Sequence, residues 1–379
     1  MQESVDQQSL WASRSEVHIY LENGIGFIAL NRPKALNALS TGMVRAMKSA
    51  MDTWRDDPSV LAVVVYSPHP RALCAGGDIR FLYEANQRGE SAAIDGFFTD
   101  EYKLNHTIFH YPKPYIALMN GVVMGGGMGI SLGAAQTGGL RIVTAGARLA
   151  MPETKIGLFP DVGASWFLAR TPGYLGTYLG VTGNMIDAAD ALYAGLADLI
   201  VPDAALGGLF ESLSTARFAS GADVVAHLSA AVRAANEGQA QASSALAAQG
   251  AAIARHFAFS NMQDIVASLE ASGDAWSTQV LADLRARSPL SMAVSLELIR
   301  RAATLSMAQC LRTDLDLVRT SFATGDILEG IRAVIVDKDH APHWKPAQIS
   351  DVSAQRVAAM FVSAWSEQGH PLAALQDAS

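Results

Sequence analysis

The sequence has 379 residues, of which 50% are hydrophobic and 17% are charged, so its composition is that of a folded globular chain and not of a disordered one. Its formal net charge of −8 argues against a nonspecific nucleic-acid-binding surface, which needs clustered lysine and arginine. The two cysteines, Cys74 and Cys310, are too few for a disulfide framework and fit a reducing compartment, so we expect a cytoplasmic protein.

Short strands alternate with helices over residues 17–201, which predicts an α/β fold. Asn23-Gly24 between two apolar runs is typical of a β-hairpin. Ser40 and Asp78 precede helical segments that their side chains can cap. The predicted strands cover residues 17–22, 25–30, 61–66, 115–119, 140–144, 148–151 and 199–201. A loop is predicted over residues 31–39, and helices over residues 41–55, 92–110, 125–135, 162–170, 174–181 and 188–193.

The composition changes after about Ser212, and the remainder has a helical pattern that begins with an alanine-rich stretch. Helices are expected at residues 264–270, 276–287, 291–302, 307–320 and 329–337. Pro342–Pro346 is expected to end the ordered part. We therefore divide the chain into a core of residues 15–212, a helical region of residues 213–350, and tails of residues 1–14 and 351–379. The first tail lacks an apolar signal region.

Residues 114–140 carry no charged side chain and are long enough to span a bilayer by hydropathy alone. Asn120-Gly121 within them is a turn signal, and the glycine run that follows would interrupt a membrane helix. We therefore predict a buried strand, a turn and a buried helix in this stretch, and no contact with a membrane.

Two glycine-rich turns and one acidic loop are the most informative features for chemistry. The turns are Cys74–Ile79 and Met124–Gly129, in which glycine lets a ligand approach the backbone N–H groups closely. If the two turns face each other, their N–H groups can stabilise one developing oxyanion. The loop Met151–Gly163 supplies the carboxylates of Glu153 and Asp161 for proton transfer or nucleophilic attack. This equipment suits acyl-thioester chemistry.

Each of these carboxylates also has a purely structural interpretation. Asp161 follows Pro160 and precedes a helical segment, so it can serve as an N-cap. Glu153 lies at an expected helix start, where the helix dipole favours an acidic side chain. Gly157 and Pro160 prevent one continuous helix between the two acids, so the loop must fold back for them to meet.

Other motifs are weaker. The glycine spacing after Gly125 does not match a dinucleotide-binding fingerprint. Gly129–Gly133 has the G-x-S-x-G pattern of a nucleophile elbow, but Ser131 is expected inside the helix and not at its entry turn, which favours helix packing. His340 and His343 are separated by a proline that breaks the helix needed to align them, so we predict no metal site.

The glycine turns, the acidic loop and the segment 31–39 together resemble the crotonase (enoyl-CoA hydratase/isomerase) superfamily. The resemblance covers about Val17–Pro346, and within it the stretches 151–163 and 329–346 are similar to the 3-hydroxyisobutyryl-CoA hydrolases. It implies a crotonase-type spiral of ββα turns, with the helical C-terminal region covering the acyl site. It also implies a thioester hydrolase that acts on a short-chain 3-hydroxyacyl-CoA, of the valine catabolism type.

Residue by residue, the resemblance implies that the backbone N–H groups of Gly77 and Gly126 form the oxyanion hole. Glu153 matches the carboxylate used as base or nucleophile, and Asp161 matches the second acid of the hydrolases. The first catalytic glutamate of the hydratases falls on Gly129, whereas hydration of a C=C bond requires two carboxylates. This departure favours hydrolysis.

The resemblance also implies that coenzyme A is part of the substrate and not a separate cofactor, with its adenine near residues 31–39. The substrate-binding residues that it implies are Lys34, Ala35, Asn37, Ala75, Gly76, Asp78, Ile79 and Gly125. Two other functions stay open: an enoyl-CoA hydratase or isomerase that uses Glu153 alone, and a non-catalytic acyl-CoA-binding relative. The sequence also leaves open the exact acyl group and the formation of a homo-oligomer.

Overall fold

A computed structural model describes residues 15–238 and 243–377 of the chain. The strands are Val17–Glu22 (β1), Ile25–Leu30 (β2), Ala62–Tyr66 (β3), Ala72–Cys74 (β4), Tyr115–Met119 (β5), Val122–Met124 (β6), Leu140–Thr144 (β7), Arg148–Ala150 (β8) and Leu199–Val201 (β9). The helices are Thr41–Arg55 (α1), Ile79–Gln87 (α2), Ser91–Phe109 (α3), Gly126–Leu132 (α4), Ala164–Leu168 (α5), Leu175–Thr182 (α6), Ala188–Tyr193 (α7), Leu206–Thr215 (α8), Gly221–Ala235 (α9), Ala245–His256 (α10), Met262–Ser272 (α11), Ala275–Arg285 (α12), Pro289–Ala302 (α13), Met307–Thr324 (α14), Asp326–Ile331 (α15) and Ala354–Met360 (α16). Short 3₁₀ turns include Pro33–Ala35 and Glu153–Ile156.

Two sheets organise the N-terminal half of the chain. Six strands form the larger sheet in the order β1-β2-β3-β5-β7-β9, where β1 and β2 are antiparallel and the other neighbours are parallel. The smaller sheet consists of the parallel strands β4, β6 and β8. The successive pairs β3-β4, β5-β6 and β7-β8 each place one strand in each sheet, and helices follow them. This repeated path confirms the predicted α/β spiral of ββα turns.

The smaller sheet creates the edge at which the site forms. Three loops leave the carboxyl ends of its strands: residues 75–78 after β4, Gly125 after β6, and residues 151–153 after β8. Because neighbouring parallel strands align their carboxyl ends, these loops meet although they are distant in sequence. Strands β4 and β6 could not be predicted from the sequence, since three-residue strands beside glycine turns show no measurable periodicity.

The larger sheet has an apolar core on each face. Val63 and Val65 of β3 belong to the main core, together with buried side chains of α1, α3 and α4. Val64 and Tyr66 belong to a second core, in which α8 and α9 cover the opposite face. Because side chains alternate along a strand, a strand covered on both faces is apolar throughout, as β3 is.

Most predicted elements of the N-terminal half are confirmed, although their boundaries shift by a few residues. Ser40 caps α1 by accepting a hydrogen bond from the Met43 N–H at 3.2 Å, and Asp78 caps α2 by accepting one from the Phe81 N–H at 3.1 Å. The uncharged stretch contains the predicted strand, turn and helix as β5, residues 120–121 and α4, and β6 is an additional short strand between the turn and the helix. Within residues 15–238 and 243–377, no helix has the length and apolar character needed to cross a bilayer.

The prediction that Pro342–Pro346 ends the ordered part is wrong. Helix α16 follows it, and Met360 and Leu372 are buried. These two apolar side chains belong to the main core, so packing holds a segment that has no periodic pattern of its own. Residues 1–14, predicted as a tail, lie outside the described residues, and the division of the chain at about residue 212 stays a prediction.

Candidate active site

A cavity of about 740 Å³ lies at the carboxyl edge of the smaller sheet. Its walls come from the loop after β2, the three loops that leave this edge, helix α3, and residues of the segment 327–340. The four predicted catalytic residues all line it: Gly77, Gly126, Glu153 and Asp161. The fold therefore brings the two glycine turns and the acidic loop to one place.

The two glycine turns touch each other at this cavity. A Cβ atom placed on Gly76 would lie 3.6 Å from the carbonyl oxygen of Met124 and 3.9 Å from the amide nitrogen of Gly126. Gly76 and Gly125 have φ angles of +115° and +49°, which glycine adopts readily. The N–H groups of Gly77 and Gly126 donate to no acceptor in the described part of the chain. Both donors are therefore available to a ligand oxygen, as an oxyanion hole requires.

Glu153 lies directly beside the second turn. Its Oε1 atom is 2.7 Å from the position that a Cβ atom of Gly125 would take, so this close approach requires glycine. The side chain is buried, and Oε2 has no hydrogen-bond partner among the described residues. Burial raises the pKa of Glu153 well above its usual range, and the negative charge of Asp161 raises it further. A carboxyl group in this position can attack a carbonyl carbon or activate a water that does so.

Asp161 lies in a turn with an unusual backbone conformation. Val162 has a φ of +55°, which is rare for a β-branched residue, and Gly163 has a φ of +75°. The Tyr102 hydroxyl donates a hydrogen bond to Asp161 Oδ2 at 2.7 Å. Gly163 occupies the N-cap of α5, and no side chain caps that helix. The interpretation of Asp161 as a helix cap is therefore wrong, and its carboxylate faces the cavity instead.

Asp314 of α14 supports the same turn from the C-terminal region. Its Oδ2 atom accepts a hydrogen bond from the Gly163 N–H at 2.8 Å, and the side chain is fully buried. This contact fixes the backbone immediately after Asp161 and Val162. The helical C-terminal region therefore helps to shape the acidic loop, which its position in the sequence does not reveal.

A third buried carboxyl group, Glu101 of α3, lines the cavity and is absent from the sequence-based predictions. Its Oε1 atom has no partner within the described residues and lies 2.6 Å from the position of a Cβ atom on Gly126. Glu101 and Glu153 thus both contact the glycine turn that carries one of the two N–H donors. The available signal was an acidic residue one helical turn from Phe97, on a helix face that is mostly apolar.

The three carboxyl groups affect one another's ionisation. Burial raises the pKa of Asp161 to about 6, against the effect of the hydrogen bond from Tyr102. Burial and then the charge of Asp161 raise the pKa of Glu101 well above its usual range, as they do for Glu153. Like charges in a buried site oppose each other, so Asp161 is the first of the three to ionise. Raised pKa values of this kind suit proton transfer near neutral pH.

Gly129 has no room for a side chain. A Cβ atom there would lie 2.7 Å from Val162 Cβ and 3.0 Å from Asn105 Nδ2, closer than packed atoms approach. A larger side chain at this position, such as glutamate, would therefore have to displace Val162 and with it the turn of Asp161.

Seven of the eight predicted substrate-binding residues line the cavity, namely Lys34, Ala35, Ala75, Gly76, Asp78, Ile79 and Gly125. Asn37 does not line the cavity. Its amide group donates to the Ser67 hydroxyl and to the carbonyl oxygens of Ala72 and Leu73, at 2.9 to 3.1 Å. These bonds use both amide hydrogens in tying the loop after β2 to β4, which is a structural role.

The prediction that Ser131 lies inside a packed helix, and not at a nucleophile elbow, is confirmed. It lies in α4, is fully buried, and its hydroxyl donates to the Gly127 carbonyl at 2.7 Å. A nucleophile elbow would instead expose the serine at the entry turn of the helix.

Comparison with known proteins agrees with this arrangement. Residues 25–361 match the family model of enoyl-CoA hydratase/isomerase. The chain is 37% identical to the mitochondrial 3-hydroxyisobutyryl-CoA hydrolase of Danio rerio, over 92% of this chain and 90% of that protein. A crystal structure of a carnitinyl-CoA dehydratase from Mycobacterium thermoresistibile is 36% identical, with a TM-score of 0.83, over 92% of this chain and 97% of that one. An enoyl-CoA hydratase from Rhodobacter sphaeroides 2.4.1 is 35% identical, with a TM-score of 0.82, over 92% and 98%. The chain therefore belongs to the enoyl-CoA hydratase/isomerase family, the crotonase superfamily.

Proposed function

We propose that this chain hydrolyses the thioester of a short-chain 3-hydroxyacyl-CoA, with 3-hydroxyisobutyryl-CoA as the substrate and 3-hydroxyisobutyrate and coenzyme A as the products. The observation that carries the proposal is the packing at Gly129, where Val162 occupies the space that a side chain would need. The catalytic glutamate that the resemblance to the hydratases places at this position therefore has no room. Glu153 remains beside the turn that carries the unpaired N–H donor of Gly126. The similarity to the Danio rerio hydrolase supports the same reaction.

The two glycine N–H donors and the carboxyl groups of Glu153 and Asp161 support the following reaction. The thioester oxygen accepts hydrogen bonds from the N–H groups of Gly77 and Gly126, which stabilise the charge that develops on it. Glu153 attacks the carbonyl carbon to form an acyl-enzyme anhydride, which water then hydrolyses to restore the carboxylate, or Glu153 removes a proton from a water molecule that attacks the carbon directly. The carbon–sulfur bond breaks, and coenzyme A leaves as its thiol after taking up a proton. Asp161 transfers a proton or holds the substrate hydroxyl. One water is consumed in either route.

The walls of the cavity suit the two ends of such a substrate. Lys34, Arg80 and Lys155 line it and offer positive charge to an anionic ligand, although the whole chain is negative. The unpartnered Oε1 atom of Glu101 can accept a hydrogen bond from an acyl hydroxyl group. An acyl group without that hydroxyl would leave this buried oxygen unpaired, which favours hydroxyacyl substrates. Coenzyme A enters as part of the substrate, and no separate cofactor is needed.

A second function, hydration of an enoyl-CoA, is favoured by one observation. Glu101 supplies a second buried carboxyl group beside the glycine turn of Gly126, in addition to Glu153. Two carboxyl groups beside a C=C bond are what hydration requires, and the two solved structures are named as a dehydratase and a hydratase. A direct comparison of both reactions therefore tests the proposal.

The test follows thiol release from 3-hydroxyisobutyryl-CoA, isobutyryl-CoA and crotonyl-CoA, together with the loss of enoyl absorbance from crotonyl-CoA. We expect fast thiol release from 3-hydroxyisobutyryl-CoA and slower release from isobutyryl-CoA, which lacks the hydroxyl. Efficient hydration of crotonyl-CoA without thiol release would contradict the proposal and support the second function. Binding of these thioesters without either reaction would indicate a non-catalytic relative.

Replacing Asp161 should separate activity from stability. Asp161→Asn keeps an acceptor for Tyr102 but cannot ionise, so turnover should fall by about 10²-fold or more. The folded pKa of Asp161, about 6, lies above the unfolded value. Between about pH 4 and pH 6 the folded state therefore binds more protons than the unfolded chain, and this carboxyl lowers stability as pH rises. The variant should thus melt at a higher temperature than the wild type at pH 7, and at a similar one near pH 4.

The matched control is Asp52→Asn, which removes an exposed carboxylate that pairs with Lys48. It should change neither the turnover nor the pH dependence of melting, since an exposed ion pair contributes little to stability. If Asp161→Asn melted at a lower temperature across this pH range and lost little turnover, Asp161 would have a structural role only.

The cytoplasmic location of the protein and its assembly into a homo-oligomer stay predictions from the sequence.

A further inference from the structure

A cluster of metal-ligating side chains lies outside the cavity. His106 of α3, His110 directly after the last residue of that helix, and Asp377 each offer one ligand atom, and these atoms lie within 4.8 Å of one another. Each of the three residues is half-buried. Nothing in the proposed hydrolysis uses them, so the cluster needs a separate explanation.

The two histidines are placed for joint binding by the helix itself. They are four residues apart at the C-terminal end of α3, and their ring centroids lie 4.5 Å apart. His110 Nε2 lies 3.1 Å from Asp377 Oδ1. His106 Nε2 is buried and has no hydrogen-bond partner among the described residues.

We infer that His106, His110 and Asp377 bind one divalent transition-metal ion of the zinc class. Two imidazoles and one carboxylate are ligands that such ions accept, and a water molecule would complete four-coordination. Metal–ligand bonds of about 2.0–2.2 Å place tetrahedral ligand atoms roughly 3.3 Å apart. The ligand atoms must therefore move closer together. Rotation of the His106 side chain can bring this about, because its Nε2 atom has no hydrogen bond to break within the described residues.

Hydrogen bonds with the protein backbone orient two of the three proposed ligands. The ring of His106 also has a hydrogen bond with the backbone of Gln376, and such a contact orients metal-binding imidazoles. Asp377 Oδ1 accepts a hydrogen bond from the Ala308 N–H at 3.0 Å. The positive charge of the nearby Arg312 opposes the binding of a cation. A hydrogen bond to the Leu375 carbonyl oxygen, 2.9 Å long, holds the Arg312 guanidinium group.

A bound ion would therefore join the C-terminal end of α3 to the C-terminal segment, whose Asp377 also accepts a hydrogen bond from the first turn of α14. Helix α3 also carries Glu101 and Tyr102 of the cavity. The prediction of no metal site rested on His340 and His343, whereas this cluster joins residues 267 positions apart in the sequence. Spacing along the chain could not indicate it.

The experiment uses the full chain without a histidine tag, stripped with a chelator and then equilibrated with Zn²⁺ in excess Mg²⁺. We expect about one Zn²⁺ per chain by elemental analysis, and an increase in melting temperature of a few degrees. His106→Gln and His110→Gln should each weaken Zn²⁺ binding at least tenfold. His343→Gln, which alters the histidine pair that the sequence excludes, should leave Zn²⁺ binding unchanged.

Co²⁺ provides a second readout that does not depend on whether the variants fold. The wild-type chain should develop the visible absorption of a four- or five-coordinate Co²⁺ ion with nitrogen and oxygen ligands. Absence of stoichiometric Zn²⁺ and Co²⁺ binding by the wild type would overturn the inference. So would binding that persists in both histidine variants but is lost in Cys310→Ser, because the buried thiol near Asp377 would then be the ligand.

Discussion

Glu153→Gln is expected to lower the turnover of 3-hydroxyisobutyryl-CoA by about 10²-fold or more while the chain stays folded. Glutamine keeps the size of the side chain and its contact with the Gly125 turn, but it is neither a base nor an effective nucleophile. Burial already disfavours the ionised form of Glu153, so a neutral amide costs the fold little. Thiol release measures the turnover, and thermal melting checks the fold.

The matched control is Glu90→Gln, an exposed glutamate that pairs with Arg88 and lies outside the cavity lining. It should retain full thiol-releasing activity. Full activity in Glu153→Gln would reject the proposed mechanism. Mass spectrometry of the wild type quenched during turnover separates the two roles of Glu153: an acyl adduct on this residue indicates direct attack, and its absence indicates activation of water.

Gly126→Pro is expected to abolish most activity by removing one of the two N–H donors. Gly126 is the first residue of α4, where proline fits the helix and no intrahelical bond is lost. Loss of one oxyanion donor typically lowers turnover by ~10²–10³-fold. Thiol release measures this loss, and calorimetric binding of coenzyme A checks that the cavity still accepts the ligand.

A proline also adds a Cβ atom, which at this position would lie 2.6 Å from Glu101 Oε1. Gly126→Ala is therefore the necessary control, because alanine adds the same atom but keeps the N–H group. We expect Gly126→Ala to retain much more activity than Gly126→Pro. Equal losses in the two variants would mean that the effect is steric, and the oxyanion-hole assignment would fail.

The local elements of the N-terminal half could be predicted from the sequence because their signals are local. Asn23-Gly24 lies between two apolar runs, and the hairpin is found at the predicted residues. Ser40 and Asp78 cap the helices that they precede. The acidic loop and both glycine turns were likewise recognisable, since positive φ angles and close backbone approach leave a glycine-rich pattern.

Several features of the site could not be predicted in this way. Glu101 is on a helix whose pattern indicates only burial, and Asp314 is more than 150 residues from the loop that it supports. Asn37 lies in a loop predicted to bind the substrate, but its side-chain amide donates hydrogen bonds to other residues of the protein. In each case the decisive contact is with residues distant in the chain.

The sequence by itself therefore determined the α/β class, the glycine turns and the two carboxylates of the acidic loop. Only the tertiary structure decided that these segments meet. The parallel pairing of β4, β6 and β8 aligns the three loops, and α3 and α14 add Glu101 and Asp314. The physical reason is that turns and caps depend on neighbours in sequence, whereas the packing of Val162 against Gly129 depends on neighbours in space.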